Sequence, residues 1–384
     1  MNVIADNRAQ RVATPAQEPM RGRVYDSFAV LPPFYDALFD QAASSSFCLT
    51  RPWFESLAAN ILGPDERLCL IGVETDALDP APLALLVGRH RDRDQAVGGA
   101  RIFSSLSNYY SMVFEPLLAE SADPAQILRL LVKTIGSQRP KYDVLRFQPL
   151  DRASPMFSAL QRALRQAGLA TQSFFHLGNW HQCTAGMTSA DYLAARPAAL
   201  RNTIRRKGET LSKCGGYFEI ITEGREIERG LGDYERVYDR SWKEPEPYPE
   251  VIRNLVRSCV ADGALRLGLL YLAGTPIAAQ IWIVWSGKAT LYKLAHDRCF
   301  ERLSPGSVLT MRMIERVIDV DRVAEVDLGV GDDPYKSQWA SQRREHWGII
   351  SFNPRTFRGI EGIILHCIGT KLKKMIQRVY AANP

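Results

Sequence analysis

The sequence predicts an α/β protein of two related domains, each with a mixed central sheet flanked by helices. Its 384 residues are enough for two domains of ordinary size, at roughly 150 residues each. Hydrophobic residues make up 46% and charged residues 23%, which is typical of a globular protein and disfavours disorder or a coiled coil. Helix and strand patterns alternate along the chain, and the order of elements in the second half resembles that in the first.

In the first half, apolar residues at helical spacing predict helices, and short apolar runs between turn residues predict strands. The predicted helices cover residues 33–41, 53–61, 124–135 and 156–167. The predicted strands cover residues 68–73, 82–87 and 142–147. Gly168 follows the last helix and ends it.

The second half repeats this alternation. The predicted helices cover residues 197–212, 234–242, 251–261 and 307–318, and Ser189 opens a shorter one. Single strands are predicted at residues 217–221 and 324–328. Between residues 265 and 297, three apolar runs are separated by Ala-Gly-Thr-Pro and Ser-Gly-Lys, which predicts an antiparallel meander of three strands.

We predict four segments: a disordered leader (1–24), a first domain (25–178), a second domain (179–355) and a basic amphipathic tail (356–384). No stretch is apolar enough for a secretory signal or a membrane-spanning helix. The seven cysteines are scattered without a CxxC pair, so we expect neither disulfides nor a metal site, and a cytoplasmic location.

The C-terminal segment that includes the tail carries the chain's surplus of positive charge. From Arg343 onward there are eight basic and two acidic residues, so this segment alone accounts for the net charge of +6. Such a surplus does not indicate nucleic-acid binding. Apolar residues follow a helical stripe: Ile360, Ile364, Ile368, Leu372, Met375, Ile376 and Val379. The stripe either docks on the protein as core or faces an anionic membrane, and the basic residues favour the membrane.

The segment SPGSVLT, residues 304–310, lies between a strand and an amphipathic helix. Gly306 lets the backbone approach a ligand closely, and the amides of Ser307, Val308 and Leu309 are expected to face an anion at the positive end of the helix. Arg298 and Arg302 lie just upstream and can neutralise phosphate charge. The alternative is an ordinary helix start capped by serine.

Several segments of the second half together resemble the GNAT acyltransferases, in the CelD-like branch that is related to the FemAB peptidyltransferases. They are RPAALRNTIRRKGETL (196–211), ERVYDRSWKEPEPYPEVIRNL (235–255), GTPIAAQIW (274–282), YKLAHDRCFERLSPGSVLT (292–310) and DLGVGDDPYKSQWASQRREHWGI (327–349). The resemblance implies two tandem GNAT-like domains, with the catalytic one second. In this family the loop before the helix holds the pyrophosphate of coenzyme A. The loop has one glycine where the family usually has two small residues, so acyl carrier protein is the alternative donor.

Amide formation from a thioester and an amine requires a base for the ammonium proton and an acid for the leaving thiolate. His296 ends the strand that faces the predicted loop and is our candidate base, oriented or replaced by Asp297. The resemblance makes Tyr335 the candidate acid, with Lys336 supplying positive charge. The alternatives are a packed strand-end histidine and a surface Tyr-Lys pair. No metal is expected, because the reaction requires none.

The basic helix 197–212 carries Arg201, Arg205 and Arg206, which are either a solvated face or, by resemblance, contacts to an anionic carrier or acceptor. Trp339 belongs to the same family pattern and is expected at the substrate. We therefore predict an acyl-CoA-dependent N-acyltransferase on the inner membrane surface. Bacterial ceramide synthases are acyltransferases of this type, which suggests the amine of a sphingoid base as acceptor. The alternatives are acylation of an amino sugar in polysaccharide assembly, FemAB-like aminoacyl transfer, and a silent GNAT scaffold.

Overall fold

The computed structural model describes residues 19–95, 98–120 and 123–366. The strands are β1 (Met20–Tyr25), β2 (Glu66–Thr75), β3 (Pro82–Asp94), β4 (Ala100–Ser105), β5 (Leu117–Leu118), β6 (Val144–Asp151), β7 (Ala170–Cys183), β8 (Tyr217–Ile221), β9 (Leu265–Leu272), β10 (Thr275–Trp285), β11 (Lys288–His296), β12 (Glu325–Val330) and β13 (Gln342–Phe352). The helices are α1 (Asp36–Ala43), α2 (Arg51–Ile61), α3 (Pro124–Ser137), α4 (Pro155–Gln166), α5 (Ser189–Ala194), α6 (Ala198–Lys213), α7 (Glu226–Asp239), α8 (Pro249–Ala261), α9 (Pro305–Glu315) and α10 (357–366).

Within the described residues, all thirteen strands belong to one mixed sheet. Its order is β1-β2-β3-β4-β6-β13-β7-β12-β11-β10-β9-β8, and β5 pairs with β3. Two neighbouring pairs are parallel, β4 with β6 and β11 with β12. Each follows an antiparallel run of three strands, β2-β3-β4 in the first half and β9-β10-β11 in the second. The α/β fold class is confirmed, and the repeated arrangement supports the predicted relation between the halves.

The two halves exchange strands at the centre of the sheet. β13, from the second half, lies between β6 and β7, so that His346 is opposite Asp151 on one side and Leu177 on the other. β7, from the first half, pairs in turn with β12. Our boundary between residues 178 and 179 lies inside β7, and a division into two domains there stays a prediction.

One hydrophobic core includes residues from both halves. Phe47 and Trp53 of the first half pack edge-on against Tyr292 of the second, with ring centroids 5.8 and 6.4 Å apart. The indole N–H of Trp285 donates to the carbonyl of Ala43. Because interiors of this kind are close-packed, the loops of the first half hold a fixed position against β11.

Helix starts follow from local chemistry. A side-chain oxygen caps α2, α3 and α4, from Thr50, Asp123 and Ser154 respectively, and each cap accepts a backbone N–H of the first turn. A proline then occupies the start of each helix, where a missing N–H costs nothing.

The apolar pattern does not predict β1, β4, β7 or β13, because these strands mix charged and polar residues with apolar ones. β1 includes residues 20–24, so the predicted disordered leader is wrong in that part, and residues 1–18 lie outside the described ones. α7 begins at Glu226, eight residues earlier than predicted. Gly230 in this helix lowers its helical signal, yet a Cβ there would come within 2.6 Å of Ile221.

His346 makes the stability of the fold depend on pH. Burial lowers the pKa of its imidazole to about 4, and its Nδ1 has no hydrogen-bond partner among the described residues. The unfolded chain therefore binds a proton between pH 6.5 and about 4 that the folded chain excludes, so stability is lost as the pH falls through this range. We expect His346→Gln to reduce the loss of unfolding free energy between pH 7 and pH 4.5 by about 2 to 3 kcal/mol. Urea titrations at both pH values measure it, and an equal loss in both proteins would contradict the assignment.

Candidate active site

The parallel strands β11 and β12 form a fork. They pair only from Lys288 to Thr290 and from Glu325 to Asp327, and then diverge. Gly329 lies at the point of divergence with φ +71°, and a Cβ there would come within 2.4 Å of the Leu291 carbonyl oxygen. Only glycine fits this close approach. Beyond Thr290, no described strand pairs with this edge of β11, so its backbone groups are available to a ligand.

A cavity of about 420 Å³ occupies the fork. Its walls come from β11, β12, the segments that follow α7 and β12, and a loop of the first half. The lining residues are Tyr109, Tyr110, Met112, Trp242, Lys243, Leu291, Tyr292, Lys293, Leu294, Leu328, Val330, Asp333, Tyr335 and Lys336. Both halves therefore build this site, with the first half contributing aromatic side chains.

Tyr335 lies in the cavity wall, on a 3-10 turn (Pro334–Gln338). Its side chain remains partly open to solvent. The surrounding protein, and secondarily the Asp333 carboxylate, raise the pKa of its phenol above the ordinary value of 10. The phenol therefore carries its proton at neutral pH and can donate it, as the predicted acid requires.

Lys336 is buried next to Tyr335, and burial lowers the pKa of its ammonium group. Its Nζ donates to three carbonyl oxygens, of Gly329 at 3.3 Å, Val330 at 2.7 Å and Gly331 at 3.3 Å. An ammonium has three donors, so the turn after β12 uses all of them. The side chain therefore fixes the turn that carries Tyr335, and its expected role as a source of positive charge stays a prediction.

The predicted anion loop begins at Ser304, whose φ of +49° turns the chain into α9. The amide of Val308 donates to the Ser304 carbonyl at 3.2 Å, and Leu309 lies one residue deeper in the helix. Neither amide is free, which corrects our expectation for Val308 and Leu309. The first-turn amides left for an anion are those of Gly306 and Ser307, because Pro305 has none. Their role in donor binding stays a prediction.

Gln280 holds this loop in place from β10. The side chain is fully buried, and its Nε2 donates to the Gly306 carbonyl at 3.1 Å and to Thr310 Oγ1 at 2.7 Å. Its Oε1 accepts from the indole of Trp282 at 2.8 Å. A single glutamine in an otherwise apolar strand was the visible signal for this positioning residue.

His296 lies between the loop and the cavity. Its ring centroid is 4.5 Å from that of Trp242, which lines the cavity, and a Cβ on Gly306 would be 3.3 Å from its Nδ1. Burial lowers the pKa of His296, against the opposing effects of Glu301 and Asp297. The imidazole is therefore neutral at pH 7 and able to accept a proton.

Asp297 does not orient His296 through a hydrogen bond in the described residues. Its carboxylate accepts from the amide of Cys299 at 2.9 Å and lies 3.8 Å from Arg240. The Asp297 amide donates to Ile277 at 2.9 Å. These contacts cap the turn that follows β11, so the expectation of a catalytic Asp297 is corrected to a structural role.

The predicted basic contacts are exposed. Arg298 and Arg302 flank the loop at the surface, and Arg201, Arg205 and Arg206 are exposed on α6. The ammonium of Lys207 on α6 donates to the Arg302 carbonyl, which places this helix beside the loop. Their contact with a donor or carrier stays a prediction. Trp339 is only 4% exposed and packs in the core, so its expected contact with substrate is wrong.

The sequence reasoning missed Lys243. This side chain lines the cavity, and burial, followed by the charge of Lys293, lowers its pKa to about 8. Its Nζ lies 5.6 Å from the ring of Tyr238, and no carboxylate within 4 Å pairs with it among the described residues. Lys293, by contrast, pairs with Glu246 at 2.7 Å, and the Tyr110 hydroxyl also donates to Glu246. No pattern of residue spacing predicts that these residues belong to one site, because they lie in segments that are far apart in the sequence.

The base of the fork is held by Asp327, which is 2% exposed. It accepts from Asn179 Nδ2 at 2.7 Å, from the Gly329 amide at 2.8 Å and from the guanidinium of Arg344. Asn179 lies on β7 and Arg344 on β13, so the exchanged strands fix the fork.

The corresponding fork of the first half is bridged. β4 and β6 are parallel from Ile102 to Ser104, and beyond that point the hydroxyls of Ser105 and Ser107 both donate to the Gln148 carbonyl. These bonds connect the two strands where those of the second half separate. The open fork of the second half is therefore the better candidate for the active site.

Comparison with known proteins gives a family match in the second half of the chain. Residues 198–337 match the acetyltransferase (GNAT) domain family. This segment is therefore similar to a GNAT acetyltransferase domain. It contains His296, Tyr335, Lys243 and the anion loop. The match implies a transferase, and GNAT domains generally use acetyl-CoA as co-substrate. No curated protein matches the sequence.

Solved structures share the fold of this chain. The chain is similar to FemX, with 10% identity and a TM-score of 0.55 over 82% of this chain and 95% of that one. It is also similar to a tandem GNAT protein from the clavulanic acid biosynthesis pathway, with 11% identity and a TM-score of 0.52 over 88% and 100%. A Bacteroides thetaiotaomicron protein of unknown function has 10% identity and a TM-score of 0.51 over 83% and 97%. At such identities the likeness shows the fold alone, and the tandem GNAT-like fold class is confirmed.

Two further observations bear on cofactors and membranes. Within the described residues, no group of three His, Cys, Asp or Glu side chains is arranged to hold a metal ion. No helix in the described part of the chain has the length and apolarity needed to cross a membrane.

Proposed function

We propose that the protein transfers an acyl group from a thioester donor to a primary amine, in the fork between β11 and β12. The observation that supports this most directly is the open fork, with the phenol of Tyr335 in its wall and the start of α9 beside the end of β11. An extended thioester arm fits along the free edge of β11. The Gly306 and Ser307 amides then meet the phosphates of coenzyme A.

In the proposed reaction, the amine nitrogen attacks the thioester carbonyl carbon and the carbon–sulfur bond breaks. His296 takes the proton that the attacking amine loses, and Tyr335 gives a proton to the leaving thiolate. Lys243, when protonated, stabilises the oxyanion of the tetrahedral intermediate. The lowered pKa of His296 and the raised pKa of Tyr335 both favour these protonation states at neutral pH.

The structure supports a proposal for the donor and one for the acceptor. Acyl-CoA is the donor favoured by the loop, and the exposed arginines of α6 are the surface that acyl carrier protein would use. For the acceptor we propose an amphiphilic amine such as a sphingoid base. The exposed Ile360 and Ile364 on α10, 45% and 51% exposed, support this, because they favour a lipid surface over the core interpretation of this stripe. The rest of the predicted tail, residues 367–384, lies outside the described residues.

The test is turnover of acyl-CoA on a panel of amines, measured by thiol release and by mass spectrometry of the product, across pH 5 to 9. His296→Gln should lower kcat roughly 100-fold and remove an acidic limb that lies below pH 6.5 in the wild-type profile. The amine substrate titrates equally with both proteins, so the difference between the two profiles belongs to the protein.

Three outcomes would contradict parts of the proposal. An acidic limb near pH 8 that survives in His296→Gln but is lost in Lys243→Met would give the base role to Lys243, whose pKa is about 8. No thiol release with any amine or acyl chain would favour a binding scaffold. Turnover of amino sugars but not of long-chain amines would overturn the sphingoid-base acceptor.

A further inference from the structure

A second cavity, of about 510 Å³, is lined in part by β6, which lies three positions from β12 in the sheet order. It is a groove between α3, α4 and the segment that leads from β13 into α10. Its floor is apolar and includes Val132, Ile135, Leu145 and Leu169. Leu145 and Ile135 belong to the hydrophobic core, so the floor is a fixed part of the fold.

The rim of this groove is basic. The cations that line it are Arg129, Lys133, Arg139, Lys141 and Arg355, and the lining includes no Asp or Glu. Within the described residues, none of these five cations has a carboxylate within 4 Å, although most arginines of the sheet are paired. Five cations over an apolar floor attract an anion that also has an apolar part.

α10 continues from this rim with an exposed apolar face. Arg355 lines the groove, and Phe357 is the first residue of the helix. Phe357, Ile360, Ile364 and Leu365 are 80%, 45%, 51% and 66% exposed. The opposite face packs on the protein, where a Cβ on Gly362 would come within 2.5 Å of Phe352. The helix thus turns large apolar side chains to the outside next to the basic groove.

We propose that this groove binds the headgroup of an acidic phospholipid, with the start of an acyl chain on its apolar floor, while α10 inserts its exposed face into the same membrane leaflet. Nucleic acid would match the cations but not the apolar floor and helix face. An acidic peptide would leave α10 uncovered. A membrane of acidic phospholipid matches the basic rim, the apolar floor and the exposed face of α10. Its negative charge also matches the basic residues that follow α10 in the sequence.

The test is co-sedimentation of the full chain with vesicles of phosphatidylcholine, with and without one quarter phosphatidylglycerol. We expect binding only to the acidic vesicles, weakening with salt. The double variant Lys133→Ser/Arg355→Ser should weaken it at least about tenfold. Lys213→Ser/Arg225→Ser removes the same charge from exposed positions of the second half and should change it less than about twofold. Equal binding by the two variants would contradict the proposed groove site, because binding would then depend only on the net charge of the protein.

A second measurement separates a lipid site from a simple anion site. Dihexanoylphosphatidylglycerol, used below its micellar concentration, should bind the wild type in calorimetry and bind Lys133→Ser/Arg355→Ser at least about tenfold more weakly. Inorganic phosphate or glycerophosphoglycerol binding as tightly as this lipid would overturn the role of the apolar floor. Because no step uses acyl transfer, these results stand or fall independently of the proposed activity.

Discussion

Tyr335→Phe should lower kcat for acyl transfer roughly 100- to 10,000-fold, because the leaving thiolate loses its proton donor. The substitution removes one hydroxyl from a partly exposed ring, so the fold and the cavity should remain. The measurement is thiol release under saturating donor. The loss should shrink when the donor is a thiophenol thioester, because a thiolate of low pKa leaves without a proton.

Tyr217→Phe is the matched control. Tyr217 is also about half exposed, but it stacks on Tyr271 between β8 and β9. These two strands form one edge of the sheet, away from the exchanged strands β7 and β13. We expect its kcat to equal that of the wild type. A Tyr335→Phe protein whose kcat falls less than about threefold would show that another group protonates the thiolate.

Asp327→Ala should cost about 3 to 5 kcal/mol of unfolding free energy, because it leaves the guanidinium of Arg344 part-buried without its closest carboxylate. It also frees the amide of Gly329 and the side chain of Asn179. We expect a lower midpoint of unfolding in guanidinium chloride, with the same slope. Activity should be lost as well, because Asp327 no longer holds the two strands of the fork in place.

Glu325→Ala tests whether this cost belongs to the buried hub. Glu325 also pairs with Arg344, at 2.9 Å, but its side chain is 25% exposed against 2% for Asp327. Water can replace its contacts, so the expected cost is about 0 to 1 kcal/mol. Equal losses in the two variants would contradict the role given to Asp327.

Local patterns in the sequence predict most helices and the meander of β9, β10 and β11. They also predict the turn at residues 304–306 and the position of Tyr335 after β12, since these depend on neighbouring residues. The exchange of β7 and β13 is not predictable in this way. It joins strands far apart in the chain, and Arg344 looks like a surface residue until Asp327 and Asn179 are placed beside it.

The same limit applies to side-chain roles. Lys336 looks like a source of charge, yet its donors go to backbone carbonyls because the turn after β12 would otherwise leave these carbonyls without partners. Lys243 looks like a surface lysine, and only the packing of the first-half loop against it makes it part of a cavity. Burial, which decides both roles, is a property of the assembled sheet.

Photoaffinity labelling with an acyl-CoA that carries a diazirine in its acyl chain tests the central claim most directly. The claim is that acyl transfer takes place in the fork of the second half, against a wall supplied by the first. Peptide mapping should find the label on residues 109–112, 291–294 or 328–336, which line the fork. Labelling confined to the bridged fork of the first half, around Ser105 and Gln148, would contradict it.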